Sequence, residues 1–156
     1  LHPSVFNLTN SIQDILQRYD KLADYQFDFY YDQEFSVYAD ELKISQVVYN
    51  LVNNVINYAG TDKQIVLRQT ATDDMVRIEV VDRGEGIPND KLKDIWDRYY
   101  KVDKEHKRAQ IGTGLGLSIV KNILDLHKGR YGVQSEWGKG SNFWFELPLY
   151  HPDSVN

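Results

Sequence analysis

No stretch constrains this chain more than Glu41 to Tyr58. Ile44, Val47, Val48, Leu51, Val55 and Ile56 recur at helical spacing and fill one stripe. A turn of about 100° per residue puts Asn50, Asn53, Asn54 and Asn57 on one arc nearly opposite that stripe, with Tyr58 at its edge. Asparagine costs a helix about half a kcal/mol against alanine, so four within eight residues need a reason beyond propensity. The arc is either a solvated polar face or a row of amides over a pocket. In a pocket, an amide oxygen can join the oxygen shell of Mg²⁺.

Around this helix the periodicity changes repeatedly. Leu8 to Leu22 predicts a helix with Leu8, Ile12, Ile15, Leu16 and Tyr19 on its apolar face. Phe27 to Tyr31 and Phe35 to Ala39 predict a strand pair, and Gln64 to Gln69 with Met75 to Val81 predict two strands joined by the polar turn Thr72-Asp73-Asp74. Pro88 opens a short helix through Ile95, and charged, aperiodic Lys101 to Gln110 reads as a loop. Leu115 to Leu126 predicts a helix stopped by Gly129, and Tyr131 to Glu136 and Asn142 to Leu147 predict closing strands. Helices alternating with mostly hairpin-linked strands give an α/β two-layer sandwich, with a mixed, mostly antiparallel sheet packed on helices.

At 156 residues the chain accommodates one domain, 1–156. A formal charge of −5 excludes a protein that tracks a nucleic-acid backbone, so no nucleic-acid partner is expected. Without cysteine there is neither a disulfide framework nor a thiolate metal site. No apolar run approaches a membrane span, so no membrane contact is expected of this domain. The chain opens at Leu1 and its one methionine is Met75, which reads as a piece of a longer protein. Residues 1–7 are read as the end of an upstream linker and 150–156 as a tail.

Two glycine-rich segments carry further chemistry. Asp82-Arg83-Gly84-Glu85-Gly86-Ile87-Pro88 follows an apolar strand. It is either an ordinary Asp-Gly turn or a ligand loop, whose glycines let the backbone turn tightly and a ligand come close. A buried Asp82 only accepts hydrogen bonds, so it would select an exocyclic amine such as that of adenine and repel the guanine carbonyl. Gly112-Thr113-Gly114-Leu115-Gly116-Leu117-Ser118 leads into a helix, where successive open amides can cradle an anion. Its spacing is not the dinucleotide fingerprint. Gly138-Lys139-Gly140-Ser141 reads as a tight turn between the last two strands rather than a phosphate loop.

Taken in order, the segments are an Asn-rich helix, Asp-x-Gly-x-Gly-Ile, Ile95-Trp96-Asp97-Arg98-Tyr99-Tyr100, Gly-Thr-Gly-Leu-Gly-Leu and Gly-x-Gly-Ser. That order resembles the N box, first glycine box, F box and second and third glycine boxes of sensor histidine kinases. These are the catalytic, ATP-binding domains of two-component systems, in the GHKL superfamily with gyrase, the Hsp90 chaperones and MutL. The likeness runs from about Phe6 to Leu149 and implies the GHKL (Bergerat-type) fold, with ATP and Mg²⁺ as cofactors.

The resemblance implies that Asn54 ligates the metal and that Asn50, one turn earlier, and Lys101, in the lid, belong to the catalytic set. It puts Asp82 on the adenine amine and Tyr58 against the adenine ring. Asn57, Gly84, Gly86, Ile87, Gly112, Thr113, Gly114, Leu115, Gly116 and Leu117 complete the nucleotide site, with 101–114 as the ATP lid. It further implies a phosphoacceptor histidine on a separate dimerisation domain, a downstream response regulator, and a homodimeric, membrane-anchored parent whose catalytic part is cytoplasmic.

Two departures stand out. The family usually has lysine or arginine three residues after the magnesium asparagine, where this chain has Asn57. Lys101, Lys104, Lys107 or Arg108 could supply the missing cation. Trp96 and Tyr99 replace the usual phenylalanines of the F box. The hydrolysing relatives carry a glutamate that activates water one turn before the metal asparagine. Here that position is Asn50, which is no general base. Transfer to another group is therefore favoured over the alternatives, a GHKL-type ATPase fragment or a non-catalytic nucleotide-sensing module. None of His2, His106, His127 and His151 has an acceptor's context, and His127 reads as a helix C-terminus favoured by the dipole.

Overall fold

The computed structural model describes residues 1–19, 24–58, 63–97 and 116–152, the side chain of Tyr58 excepted. Strand β1 (Ser4–Asn7) leads into helix α1 (Leu8–Tyr19), followed by β2 (Gln26–Tyr30), β3 (Ser36–Ala39) and α2 (Glu41–Tyr58). Strands β4 (Gln64–Ala71) and β5 (Met75–Asp82), helix α3 (Gly116–Leu126) and strands β6 (Arg130–Glu136) and β7 (Gly140–Pro148) complete the order. Five strands form one sheet in the order β2-β4-β5-β7-β6, and β1 and β3 form a separate ribbon. Only β2 and β4 run parallel in the large sheet, so it is mixed and mostly antiparallel, as expected.

Alternation decides which sheet face the helices cover. Along β5, Val76, Ile78, Val80 and Asp82 are buried while the residues between them are half-buried. Ile65 and Leu67 of β4 and Phe143, Phe145 and Leu147 of β7 point the same way, all at 1% exposure or less. The stripe of α2 meets this face through Val47, Val48, Leu51, Val52 and Val55, and α3 adds Val120, Ile123 and Leu124. Each such side chain contributes about 1.5–3 kcal/mol of burial, which fixes both layers.

Four local expectations are corrected. Phe27–Tyr31 and Phe35–Ala39 do not pair with each other: β2 joins β4, and β3 joins β1. The parallel register sets Phe27 beside Ile65 and Phe29 beside Leu67. The link between β2 and β3, Tyr31-Asp32-Gln33-Glu34-Phe35, has no Asn-Gly or Gly of the kind a two-residue hairpin needs. Residues 4–7, read as linker, form β1, whose Phe6 is only 9% exposed. Pro88 opens two separate 3₁₀ turns, Asn89–Lys91 and Asp94–Trp96, instead of one helix. Each is a single turn, the length at which such tight winding is tolerated. Finally, the left-handed residue that ends α3 is Lys128 (φ 56°), not Gly129.

Candidate functional site

α2 starts on a cap that sequence reasoning passed over. Asp40 Oδ1 accepts the Lys43 N–H at 3.2 Å, and its carbonyl accepts the Ile44 N–H at 2.9 Å. Asp40 Oδ2 also accepts the His2 N–H at 2.9 Å. The bond from His2, then that from Lys43, holds this carboxyl below its usual range. An acid directly before an apolar-periodic run was the signal available for it.

From that start the helix separates its four asparagines. Asn53 is exposed, and its Oδ1 accepts from the Tyr19 hydroxyl at 2.8 Å. Asn57 is exposed, and half-buried Asn50 donates from Nδ2 to the carbonyl of Gly116 at 3.4 Å. Asn54 alone turns inward. It is 3% exposed, and neither its Oδ1 nor its Nδ2 has a hydrogen-bond partner among the described residues. An unsatisfied buried polar group costs about 1–3 kcal/mol, so this amide calls for a water, an ion or a ligand. The arc expected opposite the apolar stripe is thus not uniform: at about 100° per residue Asn54 is its edge member, next to Val47 and Leu51, and it lies inside.

α2 packs on β5, whose last residue is Asp82. Asp82 is 3% exposed, and its Oδ1 accepts the Gly84 N–H at 2.8 Å, which closes the loop after the strand. A carboxylate has about four lone-pair sites, so this bond is compatible with an amine ligand as well. Gly86 has φ +78°, and a Cβ there would lie 2.4 Å from the carbonyl oxygen of Glu136. Its small size therefore serves packing against the β6–β7 turn. Gly138 N–H donates to the Glu85 carbonyl at 2.6 Å, so the turn expected at Gly138-Lys139-Gly140-Ser141 braces the loop. Ser135 is a further brace that sequence reasoning missed. Its hydroxyl accepts the Ile87 N–H at 2.7 Å and donates to the Gly140 carbonyl at 2.9 Å. An isolated serine in a strand offers no sequence signal.

Ile87 at 3% and Leu117 at 8% exposure belong to the core, and Gly116 opens α3. Lys101, Gly112, Thr113, Gly114, Leu115 and the side chain of Tyr58 lie outside the described residues, as does the whole 101–114 segment. Near the F box, Trp96 packs on Tyr131 at a centroid distance of 5.0 Å and on Phe143 at 6.1 Å. Burial, with Asp125 beside it, raises the Tyr131 hydroxyl above its usual value. Among the described residues no three His, Cys, Asp or Glu side chains gather as a metal site. The donor that fits a hard cation is the Asn54 amide oxygen, which bound phosphates and water would complement.

Residues 39–151 match the family model described as histidine kinase-, DNA gyrase B-, and HSP90-like ATPase. Sensor protein kinase WalK of Staphylococcus saprophyticus is 40% identical over 111 residues, which cover 70% of this chain and 18% of that protein. The chain therefore spans less than a fifth of that relative's length. The nucleotide-free catalytic domain of histidine kinase ThkA superimposes with a TM-score of 0.82 at 29% identity, covering 95% of this chain and 96% of that one. ThkA solved in complex with the response regulator TrrA superimposes at 0.76 with 27% identity, over 97% of this chain and 43% of that one. With its boxes in order, its mixed sheet packed on helices and a family match across most of its length, the chain belongs to the histidine kinase-, DNA gyrase B- and HSP90-like ATPase family.

Proposed function

We propose that this domain binds ATP with Mg²⁺ and presents the γ-phosphate to a histidine on a separate dimerisation and phosphoacceptor domain. The observation that carries the reading is the buried amide of Asn54, which has no partner among the described residues. Its oxygen would hold the cation, which neutralises phosphate charge when bound. Asp82 would read the adenine amine, and Tyr58 would lie against the ring. Asn50 and Lys101 would act at the phosphates together with the glycines of 112–116. Catalysis would consist of positioning and charge neutralisation, as is usual for phosphoryl transfer. Asn50 in place of a glutamate favours transfer over hydrolysis.

ThkA has been solved with a response regulator, and WalK is named a sensor kinase. We extend both features to the parent of this chain as a homodimer that passes phosphate to a response regulator. No described helix is long and apolar enough to cross a membrane. A cytoplasmic catalytic part on a membrane-anchored parent is our reading of the whole.

Titration of ATP and GTP against wild type and Asp82→Asn tests the site. ATP should bind with magnesium and be preferred, and Asp82→Asn should erode the preference. Equal affinity for ATP and GTP in the wild type overturns the adenine assignment. Phosphate from labelled ATP should appear only on an added acceptor domain. Rapid phosphate release without any acceptor points instead to an ATPase.

A further inference from the structure

α3 joins the nucleotide end of the domain to its far end. At its start the Gly116 carbonyl accepts from Asn50. Roughly 16 Å away, at 1.5 Å per residue, His127 follows its last turn. The half-buried ring of His127 uses both nitrogens. Nδ1 lies 2.8 Å from the carbonyl oxygen of Ile123, which only accepts, so Nδ1 carries the proton. Nε2 lies 3.1 Å from the backbone nitrogen of Asp40, which only donates, so Nε2 carries none. The neutral, Nδ1-protonated ring is the one form that makes both bonds. The second bond crosses to the cap of α2, the helix that bears Asn50 and Asn54.

We infer that His127 is a positioning residue for the nucleotide site: its neutral ring pins α3 to α2 and so holds Gly116 in register with Asn50 and Asn54, and protonation releases the pin. The inference rests on the ATP reading above. A protonated ring would set an Nε2–H against the Asp40 N–H, and two donors repel. Among the described residues, the ionisable group facing the ring from the cap of α2 is the Asp40 carboxylate. A charged ring would be drawn off the backbone nitrogen towards that carboxyl, a side-chain contact that no longer fixes the two backbones in register. His2 and Lys43 donate backbone N–H groups to that carboxylate and the amino group of Leu1 acts on it, while Asp125 and Lys128 are the charged residues that flank His127 in sequence on the α3 side.

The test compares wild type, His127→Gln and His127→Leu. ATP affinity with magnesium is measured by calorimetry at pH about 8 and about 5.5, the span in which imidazoles titrate. Amide hydrogen exchange along Gly116–Leu126 is followed in the same samples without nucleotide. Wild-type affinity should fall on acidification roughly three- to tenfold, the worth of one hydrogen bond. The amide oxygen of glutamine accepts without titrating, so His127→Gln should show a smaller ratio between the two pH values. The nucleotide's own titration is common to both proteins and cancels. His127→Leu should exchange faster along α3 and bind ATP more weakly at both pH values.

An identical acid loss in wild type and His127→Gln overturns the proposal, as does unchanged α3 exchange in His127→Leu. If wild type binds no ATP at pH about 8, the ATP reading fails. Exchange along α3 in His127→Gln, equal to or different from wild type across the same pH span, then decides the pin independently.

Discussion

The hydroxyl of Tyr19 donates to Oδ1 of Asn53 across 2.8 Å, tying α1 to the residue that precedes the inward-facing Asn54. Burial first, and then neighbouring Tyr49, push the Tyr19 hydroxyl up to about 12. A phenol whose folded value lies above its unfolded value contributes stability fully present below the unfolded value and lost as pH rises through the folded one. Between pH about 10 and about 12 wild type should therefore lose stability. Tyr19→Phe should remove that part of the alkaline slope. At neutral pH it should cost about 0.5–1.5 kcal/mol for the lost bond. Urea unfolding at pH 7, 10 and 11 measures both effects.

Asp40 makes the opposite acid-side prediction. Its carboxyl is held below the usual value by bonds from the His2 and Lys43 amides, so its contribution is present above the unfolded carboxylate value of 3.8. That contribution is lost as pH falls through the lower folded value. Asp40→Asn should be less stable than wild type at pH 7, and the gap should close below about pH 4. Unfolding midpoints at pH 7, 4 and 3 check the trend. A gap that stays constant across this range contradicts the assignment.

Gly140 stands at φ +111°, and a Cβ there would fall 2.1 Å from the carbonyl oxygen of Asp82. Backbone cannot move aside as a side chain can. Gly140→Ala should cost on the order of 2–5 kcal/mol through overpacking and strain. The thermal midpoint should fall by roughly 5–20 °C. Because the displaced atom belongs to Asp82, ATP affinity should fall along with stability. Gly138 also has positive φ, at 86°, but open space around it, so Gly138→Ala is the milder control. Equal midpoints for the two variants would contradict the steric account.

Asn57 is exposed, at the position where the family resemblance implies a phosphate-directed cation. Asn57→Lys should tighten ATP roughly three- to tenfold, the scale of one partly exposed charge-assisted bond. Charge of the same kind is expected from Lys101 and Lys104. Removing both should therefore cost less affinity in the Asn57→Lys background than in wild type. Calorimetric affinities of the four proteins form the cycle, and additive effects would show that the cations do not share a target.

Much of this was legible along the chain because it depends on local period. The stripe of Ile44, Val47, Val48, Leu51 and Val55 specified α2 over Glu41–Tyr58, and alternation through Val76, Ile78 and Val80 specified β5 with its inward face. The order of the glycine boxes pointed to the family that the comparison then matched. Period names a face, however, and not what lies against it. Period sets Asn54 at the edge of the arc nearest Val47, but only the tertiary structure decided that it is fully buried while Asn53 and Asn57 stay in water, since that depends on what packs against α2. Likewise, the partner of β2 was decided by Ile65 and Leu67, far along the chain, and the room at Gly86 by the Glu136 carbonyl. The bridge from His127 to Asp40 spans 87 residues, and no local pattern carries a contact of that reach, because a hydrogen bond depends on where two backbones meet in space.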